Sequence, residues 1–191
     1  YLSLFEPPII DFLLPHANWD NPPTSHREND YTKYGKWMIS IFDDWFNGHK
    51  SHIRIRFFEE ILYRLFGHKG SLESLGTEEV GLITISSNGA YEQVDTMKSV
   101  FPGAQNIGLN VIDNDLDEVL LQKGVKDRQL GISGLSTKCQ NCKVVNICGG
   151  GYYPHRYSQI NEFNNPSVYC EDLFMLITHI ESKVILKLEK E

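Results

Sequence analysis

The sequence predicts a mixed α/β fold of the α+β type, with short strands and amphipathic helices. Three patterns predict it: an apolar run at 9–14, a strand–turn–strand pattern at 82–95, and helical spacing of apolar residues at 34–46 and after Cys170. The 191 residues include 41% hydrophobic and 23% charged residues, which is ordinary globular usage. This length suits one medium domain or two small ones.

The run at 9–14 is predicted to be a strand buried on both faces, because it is short and nearly continuously apolar. The segment 15–23 contains three prolines and is predicted to be a loop. Loops that follow the strands of a parallel α/β barrel line its active face, so His16, Asn18 and Trp19 are candidate site residues. The alternative is that His16 and Asn18 only hydrogen-bond within a proline-rich turn.

An amphipathic helix is predicted at 34–46. Trp37, Ile41 and Trp45 recur there at i, i+4 and i+8, and we expect this aromatic face to pack in the core. Asn47-Gly48 supplies the stop signal.

The following strand and helix are predicted at 53–57 and 58–66. The stretch 67–81 is rich in Gly, Ser and Glu, which favours a boundary between two units. The predicted domains are therefore 1–67 and 68–191.

A hairpin is predicted at 82–95, because Asn88-Gly89 is a strong signal for a tight turn in which both residues have positive φ. Residues 106–121 indicate a strand followed by a capped helix with an acidic N-terminus, which we prefer over a calcium loop. The segment 170–191 has apolar residues at helical spacing and is predicted to be the closing helix.

All four cysteines lie within 32 consecutive positions, with the spacing Cys-x2-Cys-x5-Cys-x21-Cys: Cys139, Cys142, Cys148 and Cys170. Four thiolates so spaced suit a tetrahedral zinc or the four corners of a 4Fe–4S cluster, and the spacing alone does not separate the two. Unrelated thiols and disulfides are the alternatives. We expect reduced cysteines and a cytoplasmic protein, because no secretory leader is recognisable.

The net charge of −7 disfavours a nucleic-acid surface, which would need a basic face. No apolar run approaches the ~20 residues that cross a membrane, so we expect neither nucleic acid nor membrane as a partner.

The cysteine pattern resembles the C-terminal cluster-binding segment of radical S-adenosylmethionine enzymes with a SPASM domain. The surrounding sequence at 148–152, 155–157 and 165–170 resembles the branch that joins an aromatic ring to a neighbouring side chain in ribosomally made peptides, giving cyclophanes. Leu-Leu-Pro-His-x-x-Trp at 13–19 is similar to the loop after the last barrel strand in that branch. The resemblance implies the last strand–helix unit of a partial (β/α)6 barrel in 1–67. A SPASM domain with a hairpin, a cluster loop and a closing helix would follow.

The chain departs from the family pattern, which normally holds two auxiliary clusters. No cysteine precedes Gly89, the slot Gly-x4 after it ends at Val94 instead of cysteine, and the position four beyond Cys148 is Tyr152. The resemblance therefore implies one auxiliary 4Fe–4S cluster, held by the four cysteines. With four protein ligands, such a cluster has no open iron and suits a structural or electron-relay role.

The motif Cys-x3-Cys-x2-Cys, which holds the radical-generating cluster in this family, does not occur in the chain. S-adenosylmethionine and that 4Fe–4S cluster are expected in an N-terminal radical S-adenosylmethionine barrel, in the same polypeptide or a partner chain. A ribosomally synthesised precursor peptide and an external electron donor are the other expected partners.

The resemblance implies a peptide-modifying oxidoreductase in which a 5′-deoxyadenosyl radical abstracts a hydrogen atom from the precursor peptide. The residues expected to position the peptide or handle protons are His16, Asn18, His155, Arg156 and Tyr157. An alternative for His155 and Arg156 is support of the cluster. Alternative functions are a non-catalytic zinc-binding adaptor and another radical reaction, such as epimerisation or thioether formation.

Overall fold

The computed structural model describes residues 2–48 and 53–190. The α-helices are α1 (Thr24–Arg27), α2 (Lys33–Phe46), α3 (Arg56–Leu65), α4 (Leu116–Leu120), α5 (Lys123–Lys126), α6 (Thr137–Gln140), α7 (Val145–Cys148) and α8 (Cys170–Leu188). The strands are β1 (Ile9–Ile10), β2 (Arg54–Ile55), β3 (Thr84–Ile85), β4 (Ala90–Glu92) and β5 (Asn106–Asn110). Short 3₁₀ helices occupy Leu2–Phe5, Asp95–Ser99, Asp127–Gln129, Gly131–Gly134 and Tyr153–Arg156. The predicted mixed α/β class is confirmed.

The main core lies where α2, α3 and α8 pack together, and the cysteine segment packs against the same core. Its fully buried side chains come from all three helices: Met38, Phe42, Phe58, Ile61, Leu176, Ile177 and Ile180. Because α8 follows the last cysteine, burial of its apolar face also fixes the position of Cys170.

Of the three residues predicted to pack in the core from α2, Ile41 and Trp45 do so as half-buried residues and Trp37 does not. The helix exists over Lys33–Phe46, but Trp37 is 52% exposed, whereas Met38 and Phe42 are fully buried. Trp37 instead makes an edge contact with the ring of Phe12, at 5.2 Å between centroids. Periodicity predicted the helix correctly, but the larger tryptophan lies at the border of the buried stripe.

The strand predicted at 9–14 is shorter and less buried than expected. Only Ile9–Ile10 forms β1, which pairs in parallel with β2, Ile9 opposite Arg54 and Ile10 opposite Ile55. Ile9 and Leu13 are exposed, Leu13 to 90%. Because Ile9 is exposed and the strand has only two residues, β1 is not the predicted strand buried on both faces.

The predicted hairpin is confirmed, with one difference in its turn. β3, β4 and β5 form an antiparallel sheet in that order, and Ile85 pairs with Tyr91. Gly89 has a φ of +81°, whereas Asn88 has no positive φ. The Asn88 side chain instead accepts a hydrogen bond from the N–H of Ala90 at 3.1 Å, so the asparagine stabilises the turn through its amide.

The capped helix predicted within 106–121 is also confirmed. The Asp115 side chain accepts from the N–H of Glu118, and the Glu118 side chain accepts from the N–H of Asp115, forming a capping box at the start of α4. The closing helix is confirmed as α8. None of the helices within 2–48 and 53–190 has the length and apolar character required to cross a membrane.

Candidate functional site

The four cysteines line a single cavity of about 460 Å³, which we call the cysteine cavity. Cys139 lies in α6, Cys142 in the turn that follows, Cys148 at the end of α7 and Cys170 at the start of α8. None of them forms a disulfide. The structure therefore brings together all four predicted ligands, from three helices and the turn between α6 and α7.

The glycines after Cys148 shape the backbone at this cavity. Gly149, Gly150 and Gly151 have φ values of +59°, +79° and +71°, a conformation that L side chains rarely adopt. The N–H of Gly151 donates to the carbonyl of Cys148 at 2.9 Å. A Cβ at Gly149 would lie 1.6 Å from the backbone oxygen of Gly76, so this close approach requires glycine.

Charge at the cavity is governed by burial. Burial and the neighbouring thiols raise the pKa of Cys148 to about 12, and burial raises the pKa of Cys170 to about 11. The guanidinium of Arg156 counteracts the rise at Cys148. Thiols in this environment ionise when a cation compensates the burial, which a bound metal centre provides.

The donor set of the cysteine cavity limits the kind of metal centre that it could hold. Among the described residues no three His, Cys, Asp or Glu side chains form a ready-made site for a metal ion. Four thiolates suit one tetrahedral zinc or the four irons of a 4Fe–4S cluster. Both metal centres therefore fit this donor set.

A second cavity, of about 290 Å³, lies beside the residues that follow β1, and we call it the β1 cavity. It contains two of the predicted site residues, His16 and His155. Its walls are mostly apolar, formed by Phe12, Leu13, Leu14, Phe57, Leu72 and Leu173. The carboxyl end of a parallel strand is where ligands bind in parallel α/β folds.

His155 is the most enclosed polar group of the β1 cavity, with 3% of its surface exposed. Its ring stands edge-on between Tyr152, at 5.3 Å, and Tyr169, at 4.9 Å between centroids. Neither ring nitrogen has a hydrogen-bond partner in the part of the chain that the structure describes. Burial, with a smaller contribution from His16, lowers the pKa of His155 to about 4, so the ring is neutral at pH 7.

The remaining predicted site residues do not line the β1 cavity. Asn18 is buried, and its side-chain oxygen accepts from the N–H groups of Asp20 and Asn21, at 3.1 and 2.8 Å. These bonds correspond to the alternative in which Asn18 hydrogen-bonds within its proline-rich turn. Tyr157 packs against Phe101 and Phe163.

Arg156 contacts the cysteine loop instead. Its guanidinium donates to the carbonyls of Gly149 and Gly151, at 2.7 and 2.9 Å. The Cζ atom of Arg156 lies 5.5 Å from the centre of the Tyr153 ring. This placement corresponds to the alternative in which Arg156 supports a cluster and does not contact the peptide.

Hydrogen bonds join the N-terminal loop to the C-terminal part of the chain, and those of Trp19 and Tyr169 lie nearest the two cavities. The N–H of Trp19 donates to the carbonyl of Tyr157 at 3.0 Å, and its indole N–H donates to Pro166 O at 2.8 Å. The hydroxyl of Tyr169 donates to Pro15 O at 2.9 Å. Tyr169 is next to Cys170 of the cysteine cavity. It also contacts His155 and donates to Pro15, the residue before His16, at the β1 cavity. Tyr169 therefore links the two cavities.

Sequence reasoning missed several residues of the β1 cavity. Tyr152 lines it and its hydroxyl bonds to Thr96, which also lines it. The available signal was that Tyr152 occupies a position where the family pattern has a cysteine. Asp11 and Arg56 form an ion pair at the same cavity, at 3.4 Å, and no motif marks them.

A buried charge network, which we call the α3 clasp, supports the cysteine loop from the other side. Arg64 pairs with Glu60 at 2.9 Å and with Glu78 at 2.8 Å. Glu60 also accepts from the N–H of Ser71 at 2.9 Å. The clasp thereby holds the segment that ends at Gly76, whose N–H donates to Ile147 O at 2.9 Å, next to Cys148.

No protein-family model matches this chain, and no curated protein matches it. Solved structures of anSMEcpe do share its fold. The structure of anSMEcpe with bound AdoMet (S-adenosylmethionine) matches with a TM-score of 0.62 and 20% identity, over 85% of this chain and 42% of that one. Structures with AdoMet and the Kp18Cys or Cp18Cys peptide match with a TM-score of 0.62 and 20% identity, over 85% of this chain and 44% of theirs.

The matched protein, anSMEcpe, is a radical S-adenosylmethionine/SPASM protein, an anaerobic sulfatase-maturating enzyme. This chain spans less than half the length of those solved chains. At this level of identity the likeness is one of fold. The mixed α/β architecture with small sheets corresponds to part of a radical S-adenosylmethionine/SPASM protein.

Proposed function

We propose that this chain is the C-terminal part of a radical S-adenosylmethionine/SPASM enzyme that modifies a ribosomally synthesised peptide. The observation that carries the proposal is the meeting of all four cysteines at one cavity, within a fold similar to anSMEcpe. The peptides bound to anSMEcpe support a peptide substrate. Residues 1–67 would be the end of the partial barrel, and 68–191 the SPASM domain.

The cysteine cavity would hold one auxiliary 4Fe–4S cluster through Cys139, Cys142, Cys148 and Cys170. When bound, this cluster supplies a place for the electron that remains after a radical on the substrate closes a new bond. The chain's own contribution is positioning: the three glycines bring backbone close to Cys148, and Arg156 holds their carbonyls. The positive guanidinium also offsets negative charge at the thiolates.

The radical itself must come from elsewhere, because the 191 residues contain no Cys-x3-Cys-x2-Cys motif. An N-terminal barrel with S-adenosylmethionine and the first cluster would supply it, and an external donor would supply the reducing electron. We expect the β1 cavity, at the carboxyl end of β1, to face the substrate. The proposed reaction is a carbon crosslink between an aromatic ring and a neighbouring side chain, with loss of two hydrogen atoms from the peptide.

A zinc-binding adaptor is the second candidate, favoured only by the four-thiolate donor set. The likeness of the fold to anSMEcpe favours the cluster over zinc. Epimerisation or thioether formation would use the same cluster and differ in the substrate.

Anaerobic iron, sulfide and zinc analysis of the purified chain, with its visible spectrum, tests the proposal. About four irons and four sulfides per chain are expected, together with broad brown absorption. Cys148→Ala should lose them, whereas Ile160→Ala, which removes a 90% exposed side chain from the same cysteine segment, should retain them. One zinc without sulfide would instead establish the adaptor and overturn the electron-relay role.

A further inference from the structure

We propose that the β1 cavity is a side-chain pocket for a neutral aromatic group that carries one hydrogen-bonding atom, as in tyrosine or tryptophan. His155 would be the residue that binds that atom. The inference deepens the proposed function, since it names the substrate side chain that this part of the chain would take. Its physical evidence lies in the pocket itself and not in the cysteine cavity.

The size and walls of the cavity set the class of ligand. Its volume of about 290 Å³ is at the lower end for ligand pockets, so it suits one large side chain better than a length of peptide. Its walls are leucine and phenylalanine side chains, including the rings of Phe12 and Phe57. Such walls favour an apolar ring, which also gains edge contacts with them.

The charged groups at the cavity are already paired, so a charged ligand finds no free counterion there. Asp11 pairs with Arg56 at 3.4 Å. Glu73, which also lines the cavity, is bound by Arg128. Burying a further charge in these surroundings without a partner would be costly, and this excludes lysine or glutamate side chains as the preferred occupant.

Among the described residues that line the cavity, His155 is the buried side chain whose polar atoms have no hydrogen-bond partner. Neutral imidazole carries one N–H donor and one acceptor nitrogen, and neither is satisfied by the described residues. Buried polar atoms are nearly always paired, and a group that lines a cavity without a protein partner is free to bind a ligand there. A phenol O–H can donate to or accept from this ring, and an indole N–H can donate to it.

The imidazole is also held in place before any ligand arrives. The rings of Tyr152 and Tyr169 flank it edge-on, and the N–H of Val168 donates to the His155 carbonyl at 2.9 Å. The Tyr152 hydroxyl is occupied by Thr96, so it does not compete for the imidazole. A rigid, desolvated acceptor discriminates best between ligands that can and cannot make the hydrogen bond.

The test is titration of the full chain, with ¹³C-labelled histidine for NMR, by four single-residue probes: the N-acetyl amides of tyrosine, tryptophan, phenylalanine and lysine. Tyrosine and tryptophan probes are expected to bind roughly three- to tenfold more tightly than the phenylalanine probe and to shift the His155 signal. The lysine probe should not bind. Equal affinity of the tyrosine and phenylalanine probes, or binding of none, would overturn the proposal.

His155→Phe separates a binding role from a structural one. It keeps an aromatic ring between Tyr152 and Tyr169 and removes the unpaired nitrogens, so the melting temperature should stay equal or rise. The preference for the tyrosine probe should disappear while phenylalanine binding remains. His26→Phe is the matched control, because Nε2 of His26 is likewise buried without a partner in the described chain, away from this cavity.

A preference that persists in His155→Phe would contradict the assignment. Failure of this pocket assignment can be told apart from failure of the proposed function. Metal and sulfide analysis reports on the cysteine cavity, and probe binding reports on the β1 cavity.

Discussion

Neutralising Glu60 tests whether the α3 clasp stabilises the fold. The side chains of Glu60 and Arg64 are 8% and 3% exposed, and removing one partner of a buried ion pair usually costs about 3–5 kcal/mol. In Glu60→Gln the amide oxygen can still accept from Ser71, and Arg64 retains Glu78. We therefore expect a loss of about 2–3 kcal/mol in the free energy of unfolding, measured by urea denaturation at constant m value.

The matched control is Glu59→Gln in the same helix. Glu59 pairs with Arg54 at 2.7 Å, but the side chains are 28% and 66% exposed, so the expected loss is at most about 1 kcal/mol. Because the clasp holds the segment that reaches Ile147, Glu60→Gln should also release bound iron faster than Glu59→Gln does. Equal destabilisation by the two variants would refute the reasoning.

Three further predictions concern the cysteine loop and the β1 cavity. Gly149→Ala should prevent native packing, because its Cβ would collide with Gly76 O. The control Gly67→Ala, also at positive φ but in open space, should lower the free energy of unfolding by only about 1 kcal/mol. Thermal melts compare the two variants. Arg156→Gln should make the midpoint potential of the proposed cluster more negative, by roughly 59 mV for a tenfold change in the one-electron equilibrium, because a positive charge beside the thiolates is removed. Arg156→Lys keeps the charge and should shift the potential by less. Spectroelectrochemistry measures the potential, and no shift would count against a charge effect. The pKa of His155 is lowered to about 4, below the unfolded value near 6.5, so the stability that depends on its neutral form is present above pH 6.5 and is lost as the pH falls towards 4. Relative to His155→Phe, the free energy of unfolding of the wild type should fall by on the order of 2–3 kcal/mol between pH 7 and pH 4. Parallel pH profiles of the two proteins would contradict this.

The elements with strong local signals could be predicted from the sequence. The hairpin at Asn88-Gly89, the capping box at Asp115 and the closing helix α8 all depend on residues close together in the chain. The clustering of the four cysteines was predicted for the same reason, since three of them lie within ten residues. Local pattern therefore accounts for these elements and for the grouping of three cysteines, whereas the position of Cys170 at the cavity also depends on the packing of α8.

Features set by contacts between distant segments could not be predicted. The burial of α2 depends on how it meets α8, where Asp172 accepts from the N–H of Gly35 at 2.7 Å, so the border at Trp37 is decided by packing. Likewise Asn18 was a candidate site residue, but its side-chain N–H donates to Val100 O at 3.4 Å, a residue 82 positions away, while its oxygen is used by its own turn. The unpaired state of His155 is a property of its surroundings and carries no mark in the sequence.

The hydrogen bonds that join the N-terminal loop to the C-terminal segment have a consequence for biosynthesis. Tyr169 donates to Pro15 across 154 residues, and Trp19 donates to Tyr157 and Pro166. At 5–20 residues per second, a ribosome takes roughly 8–30 s between Pro15 and Tyr169. During that time the loop carrying His16 lacks these partners. Assembly of the β1 cavity thus cannot be completed before the segment that reaches Tyr169 has been made.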